Sequence, residues 1–231
     1  MSNWEIFVRQ FIDREGYQMV LQGLFTTLQI AVFGLLIGLV IGSFLAVFKL
    51  LPIDNVLTRS LKIFTNVYVA LFRGTPMVVQ LLIVHFVLFP ALGIRIESSI
   101  EGTIAFGLNS AAYVCEIMRG GILSVDKGQM EAGRAIGLSY GKTMIKIIIP
   151  QAVKNVIPTL GNEFIALIKE TSVVSFIAVV DLTKAFQSMA NSTYEYIIPY
   201  LMLAASYLVL VLIITGIVKL IERRLRAGDR R

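Results

Sequence analysis

LFTTLQIAVFGLLIGLVIGSFLAVF, residues Leu24–Phe48, runs for 25 residues without an Asp, Glu, Lys or Arg. At 1.5 Å of rise per residue it makes about 37 Å of α-helix, enough to cross a hydrocarbon core of about 30 Å with some tilt. It is also longer than the apolar region of a secretory signal, about 7–15 residues, and no basic run leads straight into it. The stretch reads as a membrane-spanning helix that stays in the mature protein.

Four further apolar segments follow: about Leu61–Phe89, about Gly102–Met118, about Val156–Val180 and about Tyr196–Ile221. The first of these is interrupted by Arg73-Gly74-Thr75-Pro76. Composition agrees: 56% of the residues are hydrophobic and 16% charged, against about 25% charged in a soluble domain. The sequence thus predicts an all-α integral membrane protein of about five transmembrane helices. Its single cysteine, Cys115, lies in an apolar segment, rules out an internal disulfide and reads as a small buried residue.

Charge placement sets the expected topology. With the amino terminus outside and the carboxyl terminus inside, fifteen of the 21 Lys and Arg residues fall on the cytoplasmic side, five of them in the last nine residues. Only Arg9, Arg14, Arg95 and Lys184 fall outside, and Arg73 and Lys169 lie at membrane depth. This is a strong positive-inside bias. The expected organisation is an external segment 1–23, a transmembrane domain 24–221 and a basic cytoplasmic tail 222–231. A net charge of +6 placed this way marks membrane flanks and resembles no nucleic-acid-binding module.

The largest predicted cytoplasmic feature between spans is the loop 124–150. Asp126 can cap a helix start, and Gln129–Gly137 reads as a short helix. Gly133 and Gly137, four apart, would share one face and let another surface approach the backbone. Ser139 suits the cap of a second helix, Tyr140–Ile149, lying at the membrane surface with Lys142 and Lys146 snorkelling and Pro150 ending it. Gly137-Leu-Ser-Tyr-Gly141-Lys142-Thr143 imitates a phosphate-binding loop, but it has three residues between its glycines instead of four and follows no strand. Nucleotide binding by this chain is not expected, and if ATP drives its process another subunit must bind it.

Glu131-Ala132-Gly133, three residues, Gly137, nine residues, Ile147-Ile148-Ile149-Pro150 resembles the Glu-Ala-Ala loop of ATP-binding-cassette importer permeases. Gly133 stands where that pattern has a second Ala, and Ile149 where it has Leu. Further blocks are similar to the polar amino-acid uptake branch of the family: Leu71–Pro76, Ser110-Ala111-Ala112-Tyr113 with Glu116-Ile117 and Arg119–Ile122, and Asn162–Ile165 with Lys169–Ser172. The resemblance covers most of the chain. It implies the importer type I permease fold in a bacterial plasma (inner) membrane. It implies Glu131, Ala132, Gly133 and Gly137 as the docking element for an ATPase subunit. The partners implied are two ATPase subunits that hold ATP and Mg, a second permease subunit in a homodimer or heterodimer, and an external solute-binding protein. The cargo implied is a polar amino acid, with no catalysis and no cofactor on this chain.

Polar groups inside the spans are costly and tend to face a cavity or a partner. Asn155, Thr159, Asn162, Glu163, Lys169 and Glu170 fall within an arc of about 120° at 100° per residue. That stripe lines a passage or a subunit interface, or else forms an interhelical ion-pair network with Glu163 or Glu170 paired to Arg73; Lys169 and Glu170, nearer the external end, read as structural or gating residues. Asn109, Tyr113 and Glu116 share a face of the third segment; Asn109 and Tyr113 suit an amino-acid head group, and Glu116 suits a salt bridge with Arg119. Pro76 frees the carbonyl of Phe72, so the break at Arg73-Gly74-Thr75-Pro76 can offer backbone groups to a ligand. Arg73 can attract a substrate carboxylate or brace the neighbouring helix. The candidate substrate residues are Arg73, Thr75, Asn109, Tyr113, Asn162 and Glu163. His85 has no carboxylate near it in sequence and reads as packing or interface.

The charged stripe also motivates a second reading, an ion-coupled secondary transporter or channel. A dual-topology dimer of five-helix chains would need a weak charge bias, and this bias is strong. No metal-ligand cluster, Ser/His pair or paired carboxylate site suggests an enzyme.

Overall fold

The computed structural model describes residues 2–51 and 55–227. Among them there is no β-strand. In chain order the helices are α1 (Asn3–Val8), extended by a π-helical stretch Arg9–Asp13; α2 (Gly16–Leu50); α3 (Val56–Gly74); α4 (Met77–Ile83), a π-helical turn Val84–Leu88 and α5 (Phe89–Ala91); α6 (Ser98–Leu123); α7 (Lys127–Ala135); α8 (Tyr140–Thr143), a π-helical turn Met144–Ile148 and α9 (Ile149–Glu170); a 3₁₀ stretch Thr171–Ile177; α10 (Leu182–Thr193); and α11 (Ile197–Ala227).

On length and apolarity alone, α2 and α11 can cross a membrane, and α3 with α4–α5 makes a third candidate whose axis turns by 108° at the break. α6 and α9 have the length, about 39 and 33 Å at 1.5 Å per residue, but carry charged side chains. α6 is an inner member of the bundle, with Glu101 buried, whereas α9 buries Ala152, Val156, Leu167 and Ile168 and leaves Lys154, Lys169 and Glu170 exposed. α6 lies along α2 and also packs on α9. Gly34, Gly38 and Gly42 of α2 make the first contact possible: a Cβ on Gly38 would lie 2.6 Å from Ser110 Oγ, and one on Gly42 2.7 Å from the Ala111 carbonyl. Small residues every fourth position let membrane helices approach this closely. The core gathers Ile30, Leu81, Phe106, Leu167, Ile168 and Val174, where α2, α4, α6, α9 and the 3₁₀ stretch meet.

Several boundaries differ from those expected. α2 begins at Gly16, so the expected external segment 1–23 holds α1 and the first turns of the span. Pro150 does not end a surface helix. Tyr140 to Glu170 is one helical run, with a π turn just before Ile149-Pro150. A second π turn precedes Phe89-Pro90 in the same way. A proline ring crowds the carbonyl four residues back; here those carbonyls, Phe86 and Lys146, lie inside the π turns, whose extra residue moves them aside. The fourth segment ends its α-helix at Glu170, ten residues before the expected Val180.

α10 falls in the stretch expected to be an external connection. Asp181 caps it, accepting from the Thr183 and Lys184 amides at 3.1 and 2.8 Å, and Leu182, Ala185, Phe186, Met189 and Ala190 bury one face. The Leu182 amide donates to Thr27 Oγ1 of α2 at 3.2 Å. Of the expected tail 222–231, residues 222–227 continue α11, and 228–231 lie outside the described residues.

Candidate functional site

The broken helix organises the site. Pro76 frees the Phe72 carbonyl, as expected, but protein groups take it up. Gln80 Nε2 donates to the Phe72 carbonyl at 2.8 Å, to the Thr75 carbonyl at 3.0 Å and to Thr75 Oγ1 at 2.8 Å. Asn109 Nδ2 donates to Gln80 Oε1 at 2.9 Å and to the Phe72 carbonyl at 3.3 Å. Thr75 Oγ1 itself donates to the Leu71 carbonyl at 2.8 Å. Asn109 and Gln80 are 3% and 7% exposed. Thr75 and Asn109 thus fasten the break to α6. Gln80 is the residue that sequence reasoning missed; its signal was a lone amide in the apolar run Met77–Phe89.

Held by this network, Arg73 sits at the end of α3 with its guanidinium 5.2 Å from the Tyr113 ring centroid, within cation–π range. It makes no ion pair among the described residues, so the expected pairing with Glu163 or Glu170 is not formed. Arg73 and Tyr113 line an open cavity of about 650 Å³ with Glu116, Ser124, Asn155 and Thr159. Two polar residues of the α9 stripe therefore face the broken helix across one space. Asn155 Nδ2 donates to Ser124 Oγ at 2.9 Å. Glu116 accepts from Arg119 at 2.8 and 3.0 Å, the expected bridge, and is also ion-paired to Lys49 from the end of α2.

Asn162 and Glu163 lie outside that cavity, farther along α9. Asn162 is exposed, and half-buried Glu163 accepts from Ser110 Oγ at 3.5 Å. Lys169 and Glu170 are exposed at the end of the same helix. His85, expected to serve packing or an interface, pairs through Nδ1 with buried Glu101 of α6. Cys115 is buried, as expected.

The second candidate element is α7. Asp126 caps it, its carboxylate accepting from the Gly128 amide at 2.6 Å. Its span is Lys127–Ala135, shifted from the expected Gln129–Gly137 because Gly137 is its terminator. Gly137 has φ +87°, which favours glycine. The Leu138 amide bonds back to the Gly133 carbonyl at 3.1 Å and the Gly137 amide to the Arg134 carbonyl at 3.0 Å, a Schellman closure. Gly133 and Gly137 therefore do different work. A Cβ on Gly133 would lie 2.4 Å from Thr143 Cγ2, so the surface that approaches it is the chain's own next helix. Glu131 and Ala132 remain exposed.

A family model described as "Binding-protein-dependent transport system inner membrane component" matches residues 38–227. The chain belongs to that family. It is 41% identical over 206 residues to a putative glutamine transport system permease protein of Rickettsia conorii, covering 89% of this chain and 92% of the relative. It is 41% identical over 210 residues to an arginine transport system permease protein of Bacillus subtilis, covering 91% and 94%. In structure it matches a chain of an amino acid ABC transporter crystallised with histidines at 38% identity and a TM-score of 0.84, over 93% of this chain and 98% of that one. The inward-facing MetNI methionine ABC transporter shares the fold at 18% identity, TM-score 0.72, over 90% of this chain and 97% of its own. The type I permease fold expected from the sequence is thus present, and the chain is an inner-membrane transport component.

Proposed function

We propose that this chain is half of the translocation pore of an ATP-driven importer of a polar amino acid. The observation that carries the reading is α7: a short exposed helix, capped at both ends, seated on the helical run that continues into the polar stripe of α9. Its exposed Glu131 and Ala132, with the Gly133 seat and Gly137 terminator behind them, form the surface on which an ATPase subunit docks. Two such subunits bind the ATP and Mg, a second permease chain completes the pore, and an external solute-binding protein delivers the cargo. The amino terminus is outside and the carboxyl terminus cytoplasmic, which puts α7 on the ATPase side. The relatives named for glutamine and arginine support an amino-acid cargo.

Arg73, without an ion pair among the described residues and held over Tyr113 at the cavity, receives the substrate carboxylate. Glu163, on the path from the cavity along α9, meets the α-ammonium or a cationic side chain; Asn162 lies beside it. Thr75 and Asn109 act by fixing the break that positions Arg73.

The test is reconstitution with the ATPase and binding-protein subunits in vesicles. Uptake should need ATP, and Glu131→Ala should weaken ATPase association and uncouple substrate-stimulated hydrolysis. Uptake driven by an ion gradient with no ATPase present would overturn the proposal.

A further inference from the structure

The N-terminal segment carries an apolar surface that the transport site does not use. α1 and its π-helical extension, Asn3–Asp13, pack against α10 and α11, with Phe7 buried in one cluster with Leu182, Phe186 and Met189. Gln10 bonds Ser192 at the end of α10. Glu15, at φ 56°, and Gly16 then turn the chain into α2; a Cβ on Gly16 would lie 2.7 Å from the Gln10 carbonyl.

The segment has three faces at four-residue steps. Phe7 and Phe11 face the protein, with rings stacked at 5.4 Å. Glu5, Arg9 and Asp13 form an exposed charged line. Trp4, Val8 and Ile12 form an apolar line, and Trp4 and Ile12 are 56% and 59% exposed. In a plain α-helix a four-residue step drifts by about 40°. The wider π turn after Val8 reverses that drift and brings Ile12 back into line with Trp4.

The neighbours of this line say what covers it. Tyr17, Tyr194, Tyr196 and Tyr200 are exposed at the same end of the molecule. Aromatic residues grouped this way mark a membrane–water interface. α1 packs on α11 and its extension on α2, the two helices long and apolar enough to span. The charged line mixes both signs, as a headgroup layer accommodates.

We propose that Asn3–Asp13 is an in-plane strap at the bilayer surface, with Trp4 and Ile12 set among the outermost acyl-chain carbons and lipid as the occupant of the apolar line. An amphipathic helix of this kind sinks roughly 5–10 Å into the headgroup–acyl boundary.

Trp4 is the only tryptophan in the sequence, so the unmodified chain is its own probe. The complex, assembled with partner subunits in which every tryptophan is replaced by phenylalanine (the binding protein included) so that Trp4 alone emits, is placed in vesicles of phosphatidylethanolamine and phosphatidylglycerol whose acyl chains carry bromine at a shallow, middle or deep carbon. The expected result is a blue-shifted emission, protected from acrylamide in the water, with the greatest loss of intensity from the shallow bromine. W4F/I12W should report the same shallow depth from the other end of the strap. Full acrylamide quenching with no bromine effect, the greatest loss at the deep carbon, or unequal depths at the two ends would each overturn the proposal. So would an emission shift seen only on adding the external binding protein, which would make the line a protein-docking surface.

Discussion

Replacing Gln80 with leucine removes the clamp on the broken helix and keeps the side chain's bulk. Three bonds from Gln80 Nε2 are lost, and the groups fare differently. The Phe72 carbonyl keeps Asn109 at 3.3 Å, and Thr75 Oγ1 keeps the Leu71 carbonyl at 2.8 Å. The Thr75 carbonyl, on an exposed residue, exchanges Gln80 for water, and buried Asn109 Nδ2 loses Gln80 Oε1 and keeps the Phe72 carbonyl. Each net hydrogen bond lost costs about 0.5–1.5 kcal/mol, so Q80L should destabilise by roughly 1–3 kcal/mol. For a chain of this size that lowers the unfolding midpoint by roughly 2–12 °C. Cys115, buried and the only cysteine, is a built-in reporter: a thiol-reactive fluorogenic dye in detergent responds as the bundle opens. N109L alone strands Gln80 Oε1 and should cost about 1–2 kcal/mol. In the double variant that oxygen is absent, but the Phe72 carbonyl then loses both Gln80 and Asn109, so N109L/Q80L should melt below either single variant. A wild-type midpoint for Q80L, or a double variant that melts with Q80L, would refute the clamp.

Gly137→Ala meets no atom within 4 Å but must hold φ +87°, which costs a residue with a Cβ roughly 1–2 kcal/mol; it should fray the end of α7 and weaken ATPase association in pull-down, and Gly137→Asn should be milder. Gly121→Ala would put a Cβ 2.1 Å from Val156 Cγ2, forcing α6 and α9 apart at a cost of about 1–3 kcal/mol, and adding Val156→Ala should restore most of the melting midpoint. Glu163→Gln should impair uptake in reconstituted vesicles and leave assembly with the ATPase subunits intact; normal uptake kinetics would remove Glu163 from the pathway.

What was legible in the sequence is what local physics decides. The charge-free run Leu24–Phe48, the break at Pro76 and the caps Asp126 and Ser139 each depend on a few neighbouring residues, and each appears where it was expected. α10 was legible too, through Asp181 and the spacing of Leu182, Ala185, Phe186 and Met189, but its Ser, Asn and Thr content imitates a loop. Pro150 misled because a proline ends a helix only when its neighbours stay in α geometry. The remaining features join residues far apart in the chain: Gln80 to Asn109, Lys49 to Glu116, His85 to Glu101. No local pattern announces such partners. The site was therefore legible as a set of candidate side chains, and only the fold separates those at the cavity, Arg73 and Tyr113, from those that fasten the break, Thr75 and Asn109.

The misread proline bears on how the proposed importer works. Had Pro150 ended the second helix of the loop, α7 would stand on a segment hinged against the span. Instead Gly133 of α7 is in close contact with Thr143 and Ile147, and both belong to the run that continues as α9. Asn155 and Thr159 at the cavity and Glu163 beyond it are carried on that same run, each about one turn from the next. On that proposal, an ATPase subunit that displaced α7 would push on buried Thr143, which could not yield without moving its helix. The helical run would then tilt or rotate as one body and carry the polar stripe with it, past Tyr113 and Arg73 on α6 and α3. The π turn keeps the run continuous where Pro150 would otherwise break it. Gly133 keeps the contact too close for the two elements to slip.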